Sequence, residues 1–402
     1  MKILIITQWF EPEPAFKGLL FAKELVKNGN EVEVVTGFPN YPEGIVYDGY
    51  KISFYQKEIM DGILVHRFPL YPNHNKSSIK RAINYISFFF SSLIGSILIT
   101  RNIDLIYSYH PPVTTSLSSS LIGLFKRVPV VQDIQDLWPD TLPATGMIRN
   151  NYLLNIISLI CKLMYRLSTR IVVLSPGFKE ILISRGVPEN KIEVIYNWCD
   201  ENAIKNFETP LEDLPNNDNL NLLFAGNLGI AQDLTSIIEA ASIIQEKSIK
   251  VNMIFLGNGI AKQDAINLAK EKDLKNCFFL NRVPMNQVGY FLNKADILLV
   301  HLNDHELFRI TIPSRTQSNL AAGKPIIMAV NGDAADLIEI ANAGIVCNPG
   351  NPNALANSIE KMLLMSDDER RTLGENGSEY YKNNLSLDIG VKKFINIFEE
   401  VA

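Results

Sequence analysis

Short apolar runs alternate with amphipathic stretches along the whole chain. In the first half, Ile3–Thr7, Glu31–Thr36, Ile63–Pro69, Leu105–Tyr109 and Val128–Gln132 read as strands. Between them, helical periodicity marks Leu19–Asn28, Ile79–Thr100 and Ser116–Lys126. A helix over Leu153–Leu167, a strand over Ile171–Leu174, a helix over Phe178–Arg185 and a strand over Ile192–Tyr196 complete this half. Strand, crossover helix and strand in repetition predict a parallel sheet covered on both faces.

The pattern then restarts. Residues 201–220 are polar, with Pro210, Pro215 and Asn216-Asn-Asp-Asn219, and read as a linker. After them Leu222–Ala225 reads as a strand, Gly226 and Gly229 as its turn, and Leu234–Ile244 as a helix. The N-terminus has the same form, with Lys2–Thr7 as strand, Gly18 in the loop and Leu19–Lys27 as helix. Further strands are predicted at Val251–Gly257, Cys277–Leu280, Ile297–Leu302, Pro325–Ala329 and Gly344–Cys347, followed by a helical tail. The predicted fold class is α/β, with two similar nucleotide-type domains, residues 1–200 and 201–384, facing each other across a cleft.

Composition agrees with two domains, since 402 residues exceed what one core usually serves. With 47% apolar and 20% charged residues the chain is globular. Cys161, Cys199, Cys277 and Cys347 are far apart and lack neighbouring histidines. They suggest neither a zinc site nor a disulfide framework, and read as buried thiols in a reducing cytoplasm. The apolar start Met1–Ile6 is too short for a signal peptide, so the protein is expected to stay where it is made. The net charge of −5 divides into a mildly basic first half and an acidic second half. That suits an anionic surface better than nucleic acid, for which no basic run with interleaved aromatics is present.

In open α/β sheets, ligands sit beyond the carboxyl ends of the strands. There His110 closes a strand before Pro111-Pro112. The next strand runs into Asp133, Asp136, Trp138 and Asp140, either an acid/base set or cap and acceptor-hydroxyl contacts. In the second half Gly226, Asn227 and Gly229 precede a helix and predict an anion site of backbone amides. Ser314 and Arg315 open another helix that ends at Gly323. Arginine is the wrong charge for a helix start unless an anion also sits there, which assigns Arg315 to phosphate.

These segments also carry a family resemblance. Gln8-Trp-Phe-Glu-Pro-Glu13, Ser108-Tyr-His-Pro-Pro112, Asp136-Leu-Trp-Pro-Asp140, Val194–Asp200, Ala225–Gln232 and Ile312–Arg315 through Pro325 together resemble the GT-B glycosyltransferases of family GT4. Within that family they resemble the branch that builds bacterial O-antigen and capsule repeat units, with similarity to the WbuB-type N-acetyl-L-fucosamine transferases. The resemblance implies an acceptor-binding first domain, a nucleotide-sugar-binding second domain and a terminal helix, about 385–402, packed back on the first. It places His110 beside the donor sugar and Gly18 near the pyrophosphate. Arg282 and Val283 fall around the base, and Ser314, Arg315, Thr316 and Gln317 with the donor. Two departures stand out. Asn227 and Gln232 replace the usual Arg and Lys, and Ser318 and Ile310 replace the usual pair of glutamates.

The expected reaction is retaining transfer of a sugar from UDP to a polyprenyl-diphosphate-linked saccharide, with no cofactor and no metal. His110 and Arg315 are the catalytic candidates, and Asp133, Asp136, Trp138 and Asp140 lie on the acceptor side. A UDP-sugar 2-epimerase and an inactive nucleotide-sugar-binding subunit are the alternatives. The protein is expected to be cytoplasmic and peripheral at the inner membrane face. The segment for that role is the apolar stretch Lys76–Arg101. It is either a buried crossover with Asn84, Ser87, Ser91 and Gly95 toward solvent, or that small stripe packs on the protein and turns Tyr85, Phe88 and Phe89 toward lipid. In the second case Lys76, Lys80 and Arg81 would meet lipid phosphates.

Overall fold

Two sheets organise the chain in the computed structural model, which describes residues 1–73, 78–144, 147, 148 and 150–402. The first contains β1 (Lys2–Ile6), β2 (Glu31–Gly37), β3 (Gln56–Met60), β4 (Ile63–Phe68), β5 (Leu105–His110), β6 (Val130–Ile134), β7 (Arg170–Val173) and β8 (Ile192–Val194). Their order is β3-β4-β2-β1-β5-β6-β7-β8, and every pairing is parallel except β3 with β4. Ile3, Leu4, Ile5 and Ile6 have no exposed surface, as expected for a central parallel strand buried on both faces. The edge strand β3 escapes the hydrophobic pattern because Gln56-Lys-Glu-Ile-Met60 is polar and Ile59 points outward.

On one face of this sheet Phe21, of the helix Leu19–Lys27, packs on Tyr107 and on Phe394 of the C-terminal helix Leu387–Val401. Side chains alternate along strands, so Leu4, Ile6 and Ile106 point to the other face. There the helices Ser78–Ile99, Val113–Lys126 and Asn151–Leu167 lie side by side. Ser78–Ile99 is, among the described residues, the helix long and apolar enough to span a membrane. Because β4 before it and β5 after it belong to one sheet, it does not span.

The small-residue stripe of that helix faces the protein. Asn84 is buried, accepting from Gln8 Nε2 at 2.5 Å and donating to Tyr71 O at 2.7 Å. Ser91 donates to Pro69 O, and a Cβ on Gly95 would collide with the Phe68 ring. This overturns the expectation of a solvent-facing stripe. The outward expectation fails in part too, because Tyr85 and Phe88 are buried. Lys76 lies outside the described residues.

The second sheet contains β9 (Leu220–Ala225), β10 (Val251–Leu256), β11 (Cys277–Leu280), β12 (Ile297–His301), β13 (Ile326–Ala329) and β14 (Gly344–Val346). All pairs are parallel, in the order β11-β10-β9-β12-β13-β14. Strand order reverses at β1/β5 in one sheet and at β9/β12 in the other, the Rossmann-like arrangement that opens a ligand crevice at the strands' carboxyl ends. The chain forms two compact units, one of residues 1–174, 178–195 and 391–402, the other of 175–177 and 196–390.

Candidate active site

At the carboxyl end of the second sheet is a cavity of about 470 Å³. Gly226, Asn227, Arg282, Val283, Ser314 and Arg315 line it together. The loops after β9 and β10 form one wall because glycine lets them touch. Gly257 has φ +146°, and a Cβ there would fall inside the carbonyl oxygen of Gly226. Gly226, at φ +135°, leaves room for Arg315, whose Nη2 would lie 3.1 Å from a Cβ at that position.

The helix Ser314–Ala322 begins after Pro313 and ends at Gly323 in the left-handed conformation, the Pro and Gly boundaries its sequence predicts. Its first turn presents Ser314 and Arg315 to the cavity. The Arg315 guanidinium carbon sits 4.3 Å from the centroid of the Phe224 ring. Phe224, Phe255 and Phe279 are register neighbours across β9, β10 and β11, and the Phe255 and Phe279 rings stack at 4.7 Å. This aromatic row gives the arginine a rigid floor. Nη1 of Arg315 is buried with no hydrogen-bond partner, and burial pushes the guanidinium down to about 10, leaving it cationic at neutral pH. A partly buried, unneutralised guanidinium at a helix N-terminus suits an anion.

The glycine turn itself differs from the predicted amide cradle. Gly226 N–H donates to Leu256 O at 2.9 Å and Leu228 N–H to Asn258 O at 2.9 Å. Gly229 N–H donates to Gln232 Oε1 at 3.0 Å. These donors are spent on fastening the loop, which leaves Arg282 and Arg315 as the charged groups that the cavity wall presents. Gly229 and the buried Gln232 stand outside the cavity wall, as do the buried Thr316 and Gln317. Sequence reading missed Gly257, Asn258, Ser318 and Asn319 in the lining. The Leu256-Gly-Asn-Gly259 turn repeats the strand-glycine signal of β9 and was the available clue. It also missed Lys262. The Lys262 ammonium donates to Gly257 O at 3.0 Å and Leu280 O at 2.9 Å, and reaches Asn258 and Asn281 Oδ1 at 3.2 and 3.1 Å. It clamps the loops after β10 and β11, the second of which carries Arg282 and Val283.

In the other unit the carboxyl edge holds His110, Asp133, Asp136, Trp138 and Asp140. His110 is buried at the end of β5, edge-on to Trp138 with centroids 5.7 Å apart. Nδ1 has no hydrogen-bond partner, and burial pushes the imidazole down to about 3, so it is neutral. Asp133 corrects the acceptor-side expectation. Its carboxylate is wholly buried and accepts from Lys17 Nζ at 2.6 Å, Tyr107 Oη at 2.6 Å and Gln135 Nε2 at 2.5 Å. A carboxylate enclosed in the core and held by three donors is shut off from an acceptor hydroxyl. Asp136 takes the Trp138 indole N–H at 3.2 Å, and burial raises its pKa. Asp140 pairs with Arg185.

Gly18 lies against the Glu11 carboxylate, which accepts from Leu19 N–H at 2.8 Å and so caps the following helix. The anion position expected beside Gly18 is thus held by the protein's own carboxylate. Glu13 braces the same loop, accepting from Asn40 and Tyr41 N–H at 2.6 and 2.7 Å, and burial raises it to about 7. Buried charges of this kind leave no periodic mark in a sequence.

Two family models match the chain, Glycosyltransferase Family 4 over residues 19–203 and Glycosyl transferases group 1 over residues 208–380. WcaI of Escherichia coli (strain K12), a glycosyl transferase assigned to colanic acid biosynthesis, is 24% identical over 98% of this chain and 99% of its own. The uncharacterized glycosyltransferase MJ1178 of Methanocaldococcus jannaschii is 24% identical over 100% and 99%. Among solved structures, Anabaena Alr3699/HepE in complex with UDP and glucose matches with a TM-score of 0.68 at 15% identity, over the whole of both chains. The trehalose-6-phosphate synthase OtsA matches with a TM-score of 0.70 at 12% identity, again over the whole of both. These last two are likenesses of fold, the GT-B fold of paired Rossmann-like domains.

Proposed function

The chain belongs to glycosyltransferase family 4, and we propose that it transfers a sugar, with retention of anomeric configuration, from UDP to a polyprenyl-diphosphate-linked saccharide in bacterial surface polysaccharide assembly. One observation carries the reading, the half-buried and unneutralised Arg315, its Nη1 without a hydrogen-bond partner, in a cavity at the carboxyl end of a Rossmann-like sheet. Leaving-group departure puts charge on the diphosphate. A fixed guanidinium on an aromatic floor meets that charge without reorganising, which is where such donors act most strongly. Kinship with a colanic acid transferase and fold likeness to a UDP complex favour a UDP-sugar and a saccharide acceptor.

Arg282 and Val283 would flank the uracil, Ser314 and Arg315 the diphosphate. His110, neutral through burial, would hydrogen-bond the transferred sugar and steady its oxocarbenium-like state, while a diphosphate oxygen takes the acceptor proton. Asp136, Trp138 and Asp140 remain proposed acceptor-side groups; Asp133 is not among them. No divalent metal is needed in this scheme, because the arginine and the helix N-terminus carry the charge balance. The test is transfer from a panel of radiolabelled UDP-sugars to lipid-linked saccharides with and without EDTA, the product anomer being read by NMR. UDP-sugar interconversion without acceptor, or an inverted anomer, would overturn the proposal.

A further inference from the structure

The three helices beside the first sheet carry large apolar side chains on their outer faces, and two of them turn mainly small residues inward. On Ser78–Ile99 the inward face joins Asn84, Ser92, Gly95 and Ser96 to Tyr85 and Phe88, while Ile79, Ile83, Ile86, Phe90, Ile94 and Leu98 form an exposed stripe at helical spacing. Phe90 is 55% exposed and Leu98 69%. A soluble helix places its large aliphatics inward and its small polar residues outward. Ser87, Ser91 and Ser92 donate their hydroxyls to carbonyls of their own helix or the adjoining chain, and small side chains let the backbone approach the sheet closely.

The neighbours continue the stripe. On Val113–Lys126, Leu117 and Leu121 are half-buried and Leu124 and Phe125 exposed. On Asn151–Leu167, Tyr152, Ile156, Leu159 and Leu163 are exposed at spacings of four, three and four, while Cys161, Met164 and Tyr165 face inward. Lys126 fastens the first two helices by donating to Thr100 O at 2.7 Å. The result is one apolar face across three helices, well beyond scattered surface hydrophobics.

Charge identifies what covers it. The three helices contain no aspartate or glutamate, in a chain whose net charge is −5. Lys80, Lys162 and Arg166 are exposed on them, and Arg101 and Arg127 are exposed just past two of their C-termini. A second copy of the chain docked by this face would set basic groups against basic groups. An anionic bilayer offers acyl boundary for the stripes and phosphates for the cations.

We propose that this face lies in the surface of an anionic membrane, with the three stripes in the headgroup–acyl boundary and the five cations at lipid phosphates. The N-terminal end of Ser78–Ile99 adjoins the edge that holds His110, since Tyr85 contacts Trp138 with ring centroids 6.2 Å apart. A membrane-bound acceptor would therefore be delivered beside those groups. The docking itself rests on the face alone and holds whatever the donor sugar is.

The test is flotation of the full chain with vesicles of phosphatidylglycerol and phosphatidylcholine against phosphatidylcholine alone. Three variants accompany it, Ile86→Asp with Phe90→Asp, Leu159→Asp with Leu163→Asp, and Lys162→Glu with Arg166→Glu. All change exposed positions, and circular dichroism melting checks their fold. Wild type should float with the anionic vesicles, less with neutral ones and less at high salt, and each variant should bind at least tenfold more weakly. No flotation of wild type, or equal flotation of the variants, overturns the proposal. Self-association of wild type that the same substitutions abolish, without vesicle binding, would instead make the face a dimer interface.

Discussion

The guanidinium of Arg315 rests on the ring of Phe224, 4.3 Å from its centroid, and one of its nitrogens is buried without a partner. Its binding capacity is prepaid by the fold. Replacing Arg315 with Ala should lower the transfer rate about a hundredfold or more, the usual effect of removing one electrostatic donor to developing charge. Steady-state kinetics with the melting curve unchanged would bear this out. Near-normal turnover would remove Arg315 from the chemistry.

Lys262→Met should loosen the loops after β10 and β11 by removing a cation shared among four oxygens. UDP affinity should fall several-fold, with little change in kcat at saturating donor, because the lysine acts through the loops. A kcat effect with unaltered KM would contradict that role.

Lys17 and Asp133 form an ion pair with no exposed surface on either side chain. Lys17→Met leaves the carboxylate buried and uncompensated, which costs about 3–5 kcal/mol in comparable cases. Chemical denaturation reads that loss. Asp133→Asn should likewise lower stability while leaving acceptor KM near wild type, and a large KM effect in a stably folded variant would restore Asp133 to the acceptor side.

His110 is held at about 3 by burial, against an ordinary value of 6.5. Below pH 6.5 the unfolded chain takes up a proton that the folded chain refuses, so stability full above pH 6.5 is lost as pH falls toward 3. The slope from this group is about 1.4 kcal/mol per pH unit at most. His110→Gln should flatten stability against pH across that range. NMR of the His110 ring should show no titration between pH 5 and 8, and a midpoint near 6.5 would refute the burial argument.

Much of the architecture is written in periodicity. Continuous apolar runs gave the buried strands, and the strand-glycine turn of Gly226 located the second sheet's ligand edge. Ser314 and Gly323 bounded the arginine helix, and the structure puts Arg315, which the dipole argument assigned to phosphate, in the cavity wall. What stayed hidden depends on tertiary neighbours. Whether Gly226 and Gly229 offer their amides or spend them on Leu256 and Gln232 is decided by loop packing. Asp133 reads as a strand-end carboxylate until Lys17, remote in sequence, is seen to fill it. The helix Ser78–Ile99 has both a small and a large face, and only its neighbours decide which points inward.

The central claim is that the cavity beside Arg315 is the nucleotide site. Calorimetric titration of UDP into wild type, Arg315→Ala and His110→Ala in buffer containing EDTA tests it most directly. The account predicts one site per chain in wild type, affinity at least tenfold weaker in Arg315→Ala, and affinity near wild type in His110→Ala. Undetectable UDP binding by wild type, or equal affinity in Arg315→Ala, would contradict it.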